Sequence, residues 1–340
     1  MTEPRLTPME GMDDIAAPDP GSRVPRAPAD APPDGRLALP EDPMEFRTLG
    51  IVGGGSMGKS IAEKVASRGI RVIILERSAE RAAEARAELV ANLDQELAKW
   101  GITQAEKQVT LGRVSFTADP AEMAGADLLI EAVHEDLEAK KDVMRRLGAL
   151  CPADRVFITN TSTLSVTEIA AASGRPDRVI GMHFMFPVTR SPIVEVVRGA
   201  VTSDATYALA LDLAHVLEKT PITVFESAGY VITRAVLPFV NEAAHIVMEG
   251  VASAEDVDKA IRMGFEFKFG PLEYADRVGL DKILGWMELL FRESGDPKYR
   301  PCPLLRKLVR AGHLGRKVGR GFFVYHDRQR VEAPDAGVRT

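Results

Sequence analysis

The residues Gly53-Gly54-Gly55-Ser56-Met57-Gly58 space three glycines as G-x-G-x-x-G. The string alone is weak, because glycine-rich turns are common. Its setting makes it informative: an apolar run at 49–52 precedes it, and a helical stretch to Arg68 follows. Strand, glycine turn and helix in that order form a dinucleotide cradle. Gly53 permits the tight turn, Gly55 lets backbone approach a pyrophosphate, and Gly58 lets helix and strand pack closely. The diphosphate then sits on free N–H groups around Ser56 and Met57, at the positive end of the helix. A second apolar run, 71–75, ends in Glu76, 23 residues after Gly53. A carboxylate there accepts both hydroxyls of an adenosine ribose and repels a 2′-phosphate. NAD is therefore expected over NADP, a preference that neighbouring Arg77 weakens.

Three further segments carry groups able to do chemistry. Glu131 to Lys140, with Glu135 between them, follows one apolar run. Thr159-Asn160-Thr161-Ser162-Thr163 ends the next with small hydrogen-bonding side chains. Gly181-Met182-His183 ends another, with Glu195 twelve residues beyond His183. In open α/β sheets, ligands bind outside the carboxyl ends of strands, where all three segments fall.

The elements that must position them are short apolar runs at 49–52, 72–75, 128–133, 156–159 and 179–182, alternating with helical stretches. The runs lack period-2 polarity and suggest strands buried on both faces. Alternation implies a parallel sheet with right-handed crossovers. Ser165 with Glu168 three residues on is a capping box, and Gly69 and Pro120 are ordinary helix-end and helix-start signals. A last candidate strand covers 221–225. Beyond it the pattern turns helical, with helices expected over 230–249, 255–263, 272–290 and 303–311. The fold class expected is α/β: a Rossmann-type doubly wound sheet domain over 46–226, then a smaller all-α domain over 227–327, with a tail at 328–340.

Residues 1–45 differ in texture. They hold 10 of the 22 prolines and 10 acids against 4 arginines. Such a segment buries too little apolar surface to offset its ordering entropy, so a disordered acidic tail is expected. It has neither the apolar stretch of a signal peptide nor the basic character of a transit peptide. The rest of the chain balances 39 basic against 39 acidic side chains, giving no electrostatic case for nucleic acid or a membrane surface. No apolar run approaches the ~18 residues of a membrane span. Cys151 and Cys302 are the only cysteines, without CxxC or clustered histidines, which argues against a metal site or disulfide scaffold. A reducing, cytoplasmic setting is expected.

The chain resembles the L-3-hydroxyacyl-CoA dehydrogenase family. The resemblance rests on GGGSMG, ADLLIEAVHEDLEAKK, TNTSTLSVTEIA, GMHFMFP with VEVV, NEAAHIVMEGVASAEDVDKA, GPLEYADRVGLD and GHLGRKVGRGFFVY, in family order over residues 46–326. It implies hydride transfer between C3 of a 3-hydroxyacyl thioester and the nicotinamide of NAD, with an acyl-CoA or other acyl-thioester partner. It implies His183 as general acid/base and Glu195 as its carboxylate partner. An imidazole, with an unperturbed pKa near 6.5, suits proton transfer at neutral pH, and a carboxylate on its other nitrogen fixes the tautomer. The resemblance further implies Ser162 on the substrate oxygen, Asn160, Glu135 and Lys140 around the nicotinamide and its ribose, and Lys99 on coenzyme A phosphates. It makes the helical domain a homodimer contact.

Two departures bear on substrate. Thr233 and Phe186 stand where the family usually has asparagine, and Phe269 stands where methionine is common. Loss of one well-placed donor to a reacting oxygen typically costs ~10²–10³ in rate. Three readings follow: a 3-hydroxyacyl-thioester dehydrogenase, the same chemistry on a carrier-protein thioester or free hydroxy acid, or a non-catalytic NAD-binding protein.

Overall fold

The computed structural model describes residues 46–327 and 329–331, and the acidic segment 1–45 lies outside them. Eight strands form one sheet: β1 (Thr48–Val52), β2 (Arg71–Leu75), β3 (Val114–Thr117), β4 (Leu128–Glu131), β5 (Val156–Thr159), β6 (Val179–Phe184), β7 (Ile193–Arg198) and β8 (Thr220–Phe225). Their order is β3-β2-β1-β4-β5-β6-β7-β8. β1 to β6 are mutually parallel, and β7 runs antiparallel to β6 and parallel to β8. The all-parallel sheet expected from the alternation is thus corrected at its last two strands.

Every residue of β1, β4, β5 and β6 is buried, because helices cover both faces. One face packs on α1 (Ser56–Ser67), α2 (Ala79–Ala98) and α6 (Asp204–Val216); its core holds Leu49, Ile51, Ile61, Leu89, Ile130 and Leu213. α3 (Gln104–Arg113), absent from the sequence expectation, closes a helical hairpin with α2 and packs on α1. The other face packs on α4 (Leu137–Leu150) and α5 (Val166–Ala171), around Leu129, Met144, Phe157 and Ile169. Pro120 opens a short 3-10 turn, Pro120–Gly125, rather than an α-helix.

Beyond β8 the chain is helical: α7 (Ile232–Met248), α8 (Ala254–Gly264), α9 (Pro271–Val278), α10 (Leu280–Ser294) and α11 (Pro303–Arg310). The helix expected over 272–290 breaks into α9 and α10 at Gly279, whose φ of +107° a side chain rarely adopts. This part has its own core of Leu237, Leu272, Ile283, Met287 and Leu305. Buried Asp276 accepts the N–H groups of Phe322 and Phe323 and the Tyr325 hydroxyl, pinning the glycine-rich run 312–321 as a turn. A hairpin of β9 (Val324–His326) and β10 (Gln329–Val331) follows, so residues 329–331, expected as tail, are paired. Among the described residues, no helix is long and apolar enough to cross a membrane.

Candidate active site

Because β1 to β6 are parallel, the ends of β1, β2, β4, β5 and β6 share one edge of the sheet. The cofactor loop lies there. Gly53 has φ +101°, and a Cβ on it would come 2.9 Å from the Ala132 carbonyl oxygen. A Cβ on Gly58 would sit 1.9 Å from the Gly53 oxygen, so only glycine lets α1 lie this close. At Gly55, by contrast, a Cβ would meet nothing within 4 Å. Gly55 begins α1 with no side-chain cap, and the first turn, through Ser56 and Met57, holds no acid. Its leading N–H groups and positive end are left for an anion. Glu76 Oε1 accepts the Gly54 N–H at 2.8 Å, which brings the acid against the glycine turn. Open space at Gly55, an uncapped helix start and an acid on the loop fit the diphosphate and ribose of NAD.

β4 and β5 contribute a buried charge network. Glu131 accepts from Lys140 Nζ at 2.8 Å, from Thr159 Oγ1 at 2.7 Å and from Val133 N–H at 2.7 Å, with Glu131 and Lys140 both fully buried. Lys140 Nζ also lies 3.4 Å from the Val133 carbonyl and 3.4 Å from Glu135 Oε2. Lys140, expected around the nicotinamide and its ribose, is itself fully buried, with its ammonium directed at Glu131, the Val133 carbonyl and Glu135. Glu135 Oε1 in turn accepts the N–H groups of Ser162 and Thr163 and the Thr161 hydroxyl, at 2.7, 3.1 and 2.6 Å. The loop carrying Ser162 is thus shaped by Glu135. Asn160 Oδ1 accepts the N–H of Phe184, the neighbour of His183, at 3.0 Å.

His183 and Glu195 are paired residues of antiparallel β6 and β7, so their side chains share a face. His183 Nδ1 lies 2.7 Å from Glu195 Oε2, and the carboxylate is fully buried. Glu195 Oε1 accepts the N–H groups of Val231 and Ile232, at 3.0 and 2.9 Å, and so caps α7, which has no cap of its own. Burial pushes the Glu195 carboxyl up. The His183 hydrogen bond and the two α7 N–H groups outweigh it and hold the group below its ordinary value. Among the described residues, His183 Nε2 has no hydrogen-bond partner. Tyr230 packs beside it, ring centroids 5.8 Å apart, and donates to the Leu164 carbonyl at 3.1 Å. Its backbone takes φ +51° just before α7.

Other expected site residues fall out unevenly. Thr233 is buried in the first turn of α7, next to the amides that hold Glu195. Phe186 is 65% exposed three residues after His183, and the Arg277 guanidinium stacks 3.9 Å over Phe269. Lys99 is exposed at the far end of α2, a 20-residue helix and hence about 30 Å from the Glu76 end. Sequence reasoning missed Tyr230 and named Glu131 without giving it a role. Glu131 sits inside an apolar run, a signal that it is buried and needs a cation.

Both parts of the chain are similar to known dehydrogenases. Residues 48–227 match the family model described as 3-hydroxyacyl-CoA dehydrogenase, NAD binding domain, and residues 229–325 match its C-terminal domain. A probable 3-hydroxybutyryl-CoA dehydrogenase of Bacillus subtilis is 41% identical over 285 residues, 84% of this chain and 99% of the relative. The 3-hydroxybutyryl-CoA dehydrogenase of Clostridioides difficile is 42% identical over 278 residues, 82% and 99% of the two chains. The crystal structure of (S)-3-hydroxybutyryl-CoA dehydrogenase from Ralstonia eutropha superposes with a TM-score of 0.78 at 39% identity, covering 83% of this chain and all of that one. The chain belongs to the 3-hydroxyacyl-CoA dehydrogenase family and is an NAD-dependent oxidoreductase.

Proposed function

We propose that the protein interconverts (S)-3-hydroxyacyl and 3-oxoacyl thioesters carried by coenzyme A, with His183 and Glu195 as its acid/base pair. The observation carrying this reading is the 2.7 Å contact of His183 Nδ1 with a buried carboxylate, which leaves Nε2 without a partner among the described residues at the carboxyl end of its strand. In oxidation, Nε2 accepts the C3 hydroxyl proton; in reduction, it returns one. Glu195 keeps the proton of the neutral ring on Nδ1 and steadies the imidazolium. Bound NAD supplies the hydride acceptor or, reduced, the donor. Ser162 hydrogen-bonds the substrate oxygen from a loop set by Glu135, and Lys140 acts through that carboxylate. Asn160 ties the nicotinamide edge to the His183 strand. Thr233 and Lys99 are assigned to the thioester and the coenzyme A phosphates. The helical part from residue 227 closes over the thioester and excludes water.

Met263, Phe265 and Phe267 are 68, 65 and 48% exposed, and the Phe239 and Phe267 rings meet edge to face with centroids 6.1 Å apart. Such a patch supports a homodimer through the helical part. A cytoplasmic location accords with two free, buried cysteines.

Consumption of NADH with acetoacetyl-CoA, followed at 340 nm, tests the activity. Absence of turnover would overturn the reading. Thr233→Asn is expected to change kcat/KM on acetoacetyl-CoA by less than about tenfold, or 1.4 kcal/mol. A larger gain would assign the native chemistry to a substrate other than this thioester.

A further inference from the structure

Residues 185–192 join β6 to β7 and so connect His183 to Glu195 along the chain. At the centre of this loop, Val188 is fully buried, and side chains from α1 and from the link between α6 and β8 take both its backbone polar groups. Its N–H donates to Ser60 Oγ at 2.9 Å. Its carbonyl accepts from Lys219 Nζ at 2.6 Å, and the same ammonium donates to the Ser191 carbonyl at 2.5 Å. Lys219 is 3% exposed and makes no carboxylate contact among the described residues. Burying an ammonium against carbonyls alone is costly, and two charge-assisted hydrogen bonds are what offset it. A charge held this way fixes the loop at two points three residues apart in sequence.

Ser60 belongs to α1, the helix whose first turn forms the cofactor cradle. An unbroken path therefore runs from that cradle through Ser60 and Val188 to the strand that carries His183. Arg190 adds a contact from the same loop to Glu96 of α2. The path matters because hydride and proton transfer need the reacting atoms about 3–3.5 Å apart, and a misplacement of about 1 Å costs roughly 10²-fold.

We propose that Ser60 and Lys219 are positioning residues that set the distance between the cofactor-binding helix and the His183 imidazole. The proposal rests on the reading of His183 as the acid/base group. A role limited to stability would lower the folded fraction without changing the chemistry of the molecules that remain folded.

The test uses the full chain and Ser60→Ala, which deletes one acceptor and leaves the ammonium in place. Three readouts apply: exchange of the Val188 amide hydrogen, NADH affinity by fluorescence, and kinetics with NADH deuterated at the transferred position. The expected result is faster Val188 exchange, unchanged NADH affinity, a kcat about tenfold lower, and a larger deuterium isotope effect as hydride transfer becomes limiting. Lys219→Met is expected to lower kcat by roughly 10²-fold. Ser60→Ala with faster Val188 exchange but wild-type kcat and isotope effect would overturn the proposal. So would a loss of active sites with KM and isotope effect unchanged. Failure of the wild type to oxidise NADH with acetoacetyl-CoA is a separate outcome and would instead overturn the reading on which the proposal rests.

Discussion

Replacing His183 with alanine is expected to lower kcat for acetoacetyl-CoA reduction by at least ~10², with NADH affinity unchanged. The imidazole is held by a fully buried carboxylate, and its Nε2 is uncommitted among the described residues. Among the described residues no hydrogen bond joins it to the cofactor cradle: Gly53 and Gly55 lie in the turn between β1 and α1, Gly58 in α1, and Glu76 just after β2. Binding and chemistry should therefore separate cleanly in this variant. Steady-state kinetics with a fluorescence titration of NADH check it, and full activity in the variant would remove His183 from the mechanism.

Glu195→Gln is expected to cost ~10²–10⁴ in kcat with little change in shape. The carboxylate has two jobs that an amide cannot do together. One oxygen holds His183 Nδ1, and the other accepts two α7 N–H groups. If the amide oxygen turns to α7, the NH2 faces Nδ1 and forces the ring proton to Nε2, the wrong tautomer for a base. If it turns to His183, the NH2 opposes two helix amides, and a buried donor left unpaired costs about 1–3 kcal/mol. The sign of the pH dependence follows from the same contacts. Glu195 has a folded-state value below its ordinary one, so its contribution to stability is present above that ordinary value and is lost as pH falls through the lowered one. The difference in thermal stability between wild type and Glu195→Gln should be widest near neutrality and shrink in acid below about pH 4.5. A difference that stays constant with pH would show that the carboxyl has the same pKa folded and unfolded, so that His183 and the α7 amides do not favour its ionised form.

The cofactor cradle was legible because its reasons are local. Gly53 and Gly58 must be glycine for contacts within one strand-turn-helix unit, and β1, β4 and β5 are apolar throughout since helices cover both their faces. β3 reads poorly, as an edge strand that mixes Ser115 and Thr117 with its apolar residues. β7 hides because Glu195 interrupts its apolar run. Its reversed direction had a signal in the spacing: eight residues separate it from β6, too few for the dozen or more of a parallel crossover. Side chains whose role is tertiary left little trace. Lys140 and Lys219 look like solvated charges until distant oxygens are folded onto them. Tyr230 and Ser60 likewise gain meaning from Leu164 and Val188, 66 and 128 residues away. His183 with Glu195 emerged through family resemblance, and the strand register then explained why twelve residues is the right separation.

The central claim is that the imidazole of residue 183 carries the proton for hydride transfer at C3 of an acyl thioester. Single-turnover stopped flow tests it most directly, mixing the enzyme–NADH complex with acetoacetyl-CoA, for wild type and His183→Asn. The variant should oxidise bound NADH at least ~10² more slowly than wild type in that single turnover. A variant that keeps the wild-type single-turnover rate would contradict the claim.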